Sequence, residues 1–183
     1  DLREVLAGVL AGDFAALEQG VQRFQQASRM LKYSPVPVVA AVQGMALGGG
    51  CEILMHCARR VLALESYVGL VEAGVGLIPA GGGCKEMVVR AAAQAAQSSG
   101  KDPFAFIEPV FTRVAMAQVA RSALEARQAG FADGGDTVVM HAQELLYVAL
   151  REARATAEAG YRPPLPPRVV KVAGRTSIAN CEM

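Results

Sequence analysis

The chain has 183 residues, 52% of them hydrophobic and only 5% aromatic, with a formal net charge of +1. That is enough chain to bury one core of ordinary domain size. Its Ala, Val, Leu and Gly suit helices packed against buried strands rather than disorder. No cluster of Lys or Arg interleaved with aromatics appears, which leaves a nucleic-acid surface without support. Cys51, Cys57, Cys84 and Cys181 form no CxxC pair and match no histidine spacing, which argues against a metal site and a disulfide scaffold. Reduced thiols in a cytoplasmic protein are the expectation. The most apolar stretch, residues 36–55, is interrupted by Gln43, several glycines and Glu52, so a buried strand leading into a helix fits better than a membrane span. No basic-then-apolar signal segment opens the chain, and Asp1 in place of a methionine suggests a fragment or a processed product.

In chain order, Phe14, Leu17, Val21, Phe24 and Met30 recur near helical spacing and predict a helix over 13–31 with Asp13 as its N-cap. Pro35 and Pro37 break it. Residues 38–42 form a continuous apolar run, expected as a strand covered on both faces. A glycine-rich turn follows, and a helix is expected from Gly50 to about Arg59 with the glycine amides at its start. Residues 60–64 read as a strand, 69–72 as a loop or strand end, and Gly81, Gly82 and Gly83 as the start of a helix over 84–97. Beyond about residue 100 the composition changes: Phe104, Phe106, Val110, Phe111 and Val114 predict a helix, with further helices over 117–128 and 142–159. A short strand is possible over 136–140, and the proline-rich 162–167 is a stiff connector. The expected organisation is an α/β core over 1–100 and a mainly helical region over 101–183, serving oligomerisation and covering the active site.

The chemistry concentrates at two glutamates beside glycine-rich turns: Glu52, closing the segment GMALGGGCE over 44–52, and Glu72, opening VEAGVGLIP over 71–79. Amides freed of side-chain bulk at a helix start can approach a carbonyl oxygen and stabilise charge developing on it. A carboxylate on that helix's first turns can then handle a proton or orient a water. The bland alternatives are a tight strand-to-helix joint for the glycines, a capping carboxylate for Glu52, and a surface loop residue for Glu72. Against the last, Leu70, Val71, Ala73 and Val75 make a poor setting for a solvated carboxylate and a good one for a raised pKa. His56, one turn after Glu52, could tune it; a core or helix-surface histidine is the leading reading. Cys51 and Cys84 read as small buried thiols, and Met45, Met55 and Met87 as core filling rather than an acyl tunnel. Neither glycine cluster has the spacing of a dinucleotide fingerprint or a P-loop.

Together, segments 37–52 and 71–83 resemble the crotonase superfamily, in particular its enoyl-CoA hydratase/isomerase branch. The resemblance implies the crotonase (ClpP-like) α/β fold of strand-turn-helix repeats, its N-terminal repeats missing here, and no required cofactor beyond coenzyme A as part of the thioester substrate. It implies Gly49 as one oxyanion-hole donor, Glu52 and Glu72 as catalytic acids, and Ala46, Leu47, Gly48 and Pro79 as substrate-binding positions. The implied reaction is hydration of a 2-enoyl-CoA to a 3-hydroxyacyl-CoA in fatty-acid β-oxidation. Enoyl-CoA isomerisation and a non-catalytic acyl-CoA-binding or assembly module are the alternatives. The family's second oxyanion donor would lie just before Asp1, so a polypeptide limited to 1–183 is expected to turn over little crotonyl-CoA. Lys85, Lys101 and Arg90 could meet coenzyme A phosphates, with solvated surface charge as the safer reading. Segments 122–126, 144–149 and 160–164 also resemble bacterial 3-hydroxyacyl-CoA dehydrogenases that join a hydratase-like module to an NAD-dependent dehydrogenase module. By the same resemblance the partners are an acyl-CoA thioester, that dehydrogenase module, and further copies of the chain in a trimer or hexamer through helices over 104–159. Neither nucleic acid nor membrane is expected as a partner.

Overall fold

The structure, a computed structural model, describes residues 2–98, 102–170, 172 and 174–181. Two helices come first, α1 (Leu2–Ala11), which the sequence reading did not anticipate, and α2 (Phe14–Lys32). The Asp13 carboxylate accepts from the Ala16 amide at 3.0 Å and caps α2 as its position predicts. Past the prolines, β1 (Val39–Val42) runs parallel to β3 (Arg59–Ala63), which pairs in parallel with β5 (Thr137–Val139) in the order β1-β3-β5. A second parallel pair joins β2 (Met45–Leu47) to β4 (Tyr67–Gly69). α3 (Gly49–His56) follows β2, and α4 (Gly83–Gln97) follows β4 after the 3-10 turn Glu72–Val75. The helical region holds α5 (Phe104–Ala115), α6 (Ala123–Gln128), α7 (Leu145–Glu158) and α8 (Gly174–Cys181).

Several expectations are corrected. Successive side chains of β1 point to opposite faces, and Val42 is buried while Ala41 is exposed, so two-sided cover fails. α3 stops at His56 because the chain must turn extended to pair with β1, where the Ala58 amide donates to the Val38 carbonyl. The helix expected over 117–128 begins only at Ala123. Ala117 takes a positive φ of 48°, Ala120 bridges Val68 antiparallel, and Ser122 caps α6 by accepting from the Glu125 amide. Arg90 is no solvated charge: its guanidinium donates to the carbonyls of Gly130, Phe131 and Met55.

The main core gathers Leu54 and Met55 of α3, Val68 and Leu70 around β4, Met87 of α4, and Phe131. Each contributes about 1.5–3 kcal/mol by leaving water. A second cluster of Val61, Ala63, Val139, Leu145 and Ala149 seats α7 on the three-stranded sheet. Arg60, its side chain 4% exposed, reaches from β3 to Asp136 and Asp133 and ties the loop before β5 to the sheet. These anchors hold α3 and α4 side by side, with α3 packed against β2. Among the described residues, no helix is long and apolar enough to cross a membrane.

Candidate active site

The first glycine turn works by backbone geometry. Gly48 holds φ 55° and ψ −123°, a conformation that side chains avoid. Its amide donates to the Gly69 carbonyl at 2.8 Å, which ties the turn to β4. The amides of Gly49 and Gly50, first in α3, have no intrahelical acceptor and mark the helix's positive end. Ala46, Leu47, Gly48 and Gly49 are all half-buried along this approach.

Glu52 projects from the next position but one and is 3% exposed. Its Oε1 accepts from the Gly83 amide at 2.8 Å, so it caps α4 rather than its own helix. A Cβ at Gly81 would lie 2.5 Å from Glu52 Oε2, which is why glycine is needed there. Burial pushes the Glu52 carboxyl up; the Gly83 amide opposes this, and the nearby charge of Glu72 adds to it.

Glu72 opens the 3-10 turn that follows β4. Its Oε1 lies 3.3 Å from where a Cβ on Gly48 would stand, so the carboxyl sits against the start of α3. Its Oε2 is buried without a hydrogen-bond partner, and burial pushes its pKa up against the amides of Glu72 and Val71. A surface-loop residue does not have that environment. The structure thus sets the Glu52 carboxyl at the start of α4 and the Glu72 carboxyl, 20 positions on, at the start of α3, each biased toward its protonated form.

Sequence reasoning missed the residue closing the site from α2. The Phe24 ring comes 3.2 Å from the position of a Cβ on Gly49 and would be overlapped by one on Gly81. Helical spacing marked Phe24 as apolar without showing what it faces. Gln25 beside it donates to the Ala80 carbonyl at 2.7 Å and fastens α2 to the second glycine turn. Pro79 is buried and lines a cavity of about 340 Å³ with Gln25, His56, Gly81 and Gly82. A larger groove of about 600 Å³ runs beside α7, lined by Arg151, Glu152, Arg154 and Glu158 and remote from both glycine turns.

His56 is buried in the core, in line with its leading reading. Cys51 is buried, and burial with the charge of Glu72 pushes its thiol up, away from a nucleophile's range. Cys84 is exposed at the start of α4, contrary to expectation, because it points away from the core that holds Met87. Met55 and Met87 fill the core, but Met45 is 76% exposed because it sits on the outer face of the short strand β2. Lys85 is half-exposed and lies 3.1 Å from Glu86 Oε1, whereas Lys101 lies outside the described residues. Among the described residues, no cluster of three or more His, Cys, Asp or Glu could hold a metal.

Two carboxyls that favour holding a proton, beside open amides at a positive helix end, can exchange protons with a substrate whose carbonyl oxygen gains charge. The surrounding architecture is the crotonase fold. A solved enoyl-CoA hydratase from Polaromonas sp. JS666 matches it with a TM-score of 0.64 at 23% identity, over 85% of this chain and 52% of that one. The profile described as Enoyl-CoA hydratase/isomerase matches residues 2–99, more than half of the chain, and the chain belongs to that family. A Bacillus subtilis protein named probable 3-hydroxyacyl-CoA dehydrogenase is 40% identical over 98% of this chain, which spans 22% of that protein. A crotonyl-CoA hydratase from Syntrophomonas wolfei is 40% identical over 45% of this chain and 29% of its own length. The chain thus spans less than a third of the B. subtilis and S. wolfei proteins and about half of the solved hydratase.

Proposed function

We propose that this chain carries the catalytic acids of an enoyl-CoA hydratase, adding water across the C2=C3 bond of a 2-enoyl-CoA thioester. The observation that carries this reading is the pair of carboxyls with raised proton affinity, Glu52 buried on the Gly83 amide and Glu72, its Oε2 buried, beside the open amides of α3. In the proposed step Glu52 removes a proton from water and the resulting hydroxide bonds to C3. The C2=C3 electron pair moves toward the thioester, and the Gly49 amide steadies the enolate oxygen. Glu72, entering protonated, delivers its proton to C2; proton exchange with solvent resets both acids. As Glu72 gives up its proton, its charge raises the proton affinity of Glu52, which is taking one from water. Ala46, Leu47, Gly48 and Pro79 would line the path of the thioester and its acyl chain.

The likeness to the B. subtilis protein supports a wider reading, in which the 3-hydroxyacyl-CoA product passes to an NAD-dependent dehydrogenase module. The test is hydration of crotonyl-CoA by the full-length protein and by its Glu52→Gln and Glu72→Gln variants. Each variant is expected to lose on the order of a hundredfold or more in kcat while acyl-CoA binding stays near normal. Wild-type rates in both overturn the assignment. A product with a shifted double bond and no added water makes the chain an isomerase instead, and intact binding without turnover makes it an acyl-CoA-binding module.

A further inference from the structure

His56 takes no part in the proposed hydration, yet its buried side chain packs against both Glu52 and the second glycine turn. The ring is 1% exposed, and its Nδ1 lies 2.7 Å from the Glu52 carbonyl oxygen. A carbonyl can only accept, so Nδ1 carries the proton, and in the neutral ring Nε2 is bare. That nitrogen faces Glu86 Oε1 at 3.5 Å, has no hydrogen-bond partner, and looks onto a carboxylate already held by Lys32 at 2.6–2.7 Å. Burial lowers the His56 pKa and keeps the ring neutral. On its other side the ring presses on the second glycine turn: a Cβ at Gly82 would stand 2.6 Å from His56 Cε1 and 2.8 Å from Nε2.

A residue that merely filled this space would do better as leucine or methionine, which strand no buried acceptor. The histidine keeps that unpaired nitrogen beside one well-made bond, and the bond goes to the backbone of Glu52. The turn it presses on supplies the Gly83 amide that holds the Glu52 carboxylate. The ring therefore touches both ends of one arrangement, the backbone that carries Glu52 and the turn that receives its side chain. We propose that His56 is the positioning residue of the site, holding Glu52 and the Gly81 to Gly83 turn in a fixed relation. The proposal rests on the reading of Glu52 as a catalytic acid.

In the full-length protein, His56→Leu keeps most of the volume and removes the Nδ1–H donor. It is expected to lower kcat for crotonyl-CoA hydration between about tenfold and a hundredfold, with KM within about twofold, because the reacting group is displaced rather than the binding surface. Thermal stability is expected to hold or rise. His56→Gln, whose amide can reach the same carbonyl, is expected to recover most of kcat. Wild-type kcat in His56→Leu, a loss confined to KM, or equal losses in both variants that track their melting temperatures overturns the proposal. Should His56→Leu fail to fold, His56→Asn is compared with His56→Gln: the shorter side chain leaves the turn unsupported and loses kcat, and equal kcat in the two overturns the role. Glu52→Gln run alongside separates the two readings. Its full activity removes Glu52 from catalysis, whereas its inactivity beside a fully active His56→Leu removes His56 alone.

Discussion

Replacing Gly81 with alanine adds one methyl group at the most crowded point of the site. Gly81 has no positive φ, so the backbone tolerates alanine and the whole penalty is steric. The new Cβ would stand 2.5 Å from Glu52 Oε2 and overlap the Phe24 ring; with ordinary contact starting at 3.4 Å, the carboxylate must retreat by about 0.9 Å and the ring further. Overpacking of this kind costs about 1–3 kcal/mol, and a shift near 1 Å in a reacting group costs on the order of a hundredfold in rate. The two effects separate in a double mutant. Phe24→Ala relieves the ring but not the carboxylate, so Phe24→Ala with Gly81→Ala is expected to regain part of the stability lost in Gly81→Ala, measured from the Phe24→Ala background, while kcat stays low. Thermal melting and crotonyl-CoA hydration on the four proteins of the cycle provide the measurement. Wild-type melting and turnover in Gly81→Ala would refute the close packing of Phe24, Gly81 and Glu52, and recovery of both quantities in the double mutant would refute the carboxylate's part in it.

Asp136→Ala leaves the Arg60 guanidinium buried without its main partner and is expected to cost about 3–5 kcal/mol, lowering the melting temperature by on the order of 10 °C. Glu158→Ala, which breaks the exposed pair with Arg154, should change it little, and equal effects would contradict the burial argument. Glu72→Gln tests the raised carboxyl. A group whose folded pKa exceeds its ordinary value of about 4.5 holds its proton more tightly in the folded state, so its contribution to stability falls as pH rises through that window. The melting temperature of Glu72→Gln should therefore gain on wild type between pH 4 and pH 8, and a constant difference would refute the shift.

The local features of the fold were legible in the chain. Asp13 before an apolar period, Pro35 and Pro37 after it, the apolar run into Gly44 and the start of α4 at Gly83 follow from preferences acting over one turn or one pleat. The exceptions are positions where a distant partner overrides propensity. Residues 117–122 have helical composition, yet Ala120 pairs with Val68 and the helix waits for the Ser122 cap. Arg90 reads as a surface charge, but three carbonyls converge on it from chain segments 35 to 41 residues away.

The same division runs through the site. Residue types alone placed Glu52 and Glu72 beside glycine turns, since a sharp turn and a bare amide are properties of adjacent residues. The crotonase resemblance followed from that local pattern. Only the tertiary structure decided that Glu52 caps α4 through Gly83, that Phe24 closes over Gly49 and Gly81, and that the His56 ring lies against Gly82. Each of these depends on which helix packs against which turn. For Glu72 the apolar residues beside it already pointed to a raised proton affinity, whereas Glu52 loses its water to the turn at 81–83 and Phe24, neighbours distant in sequence.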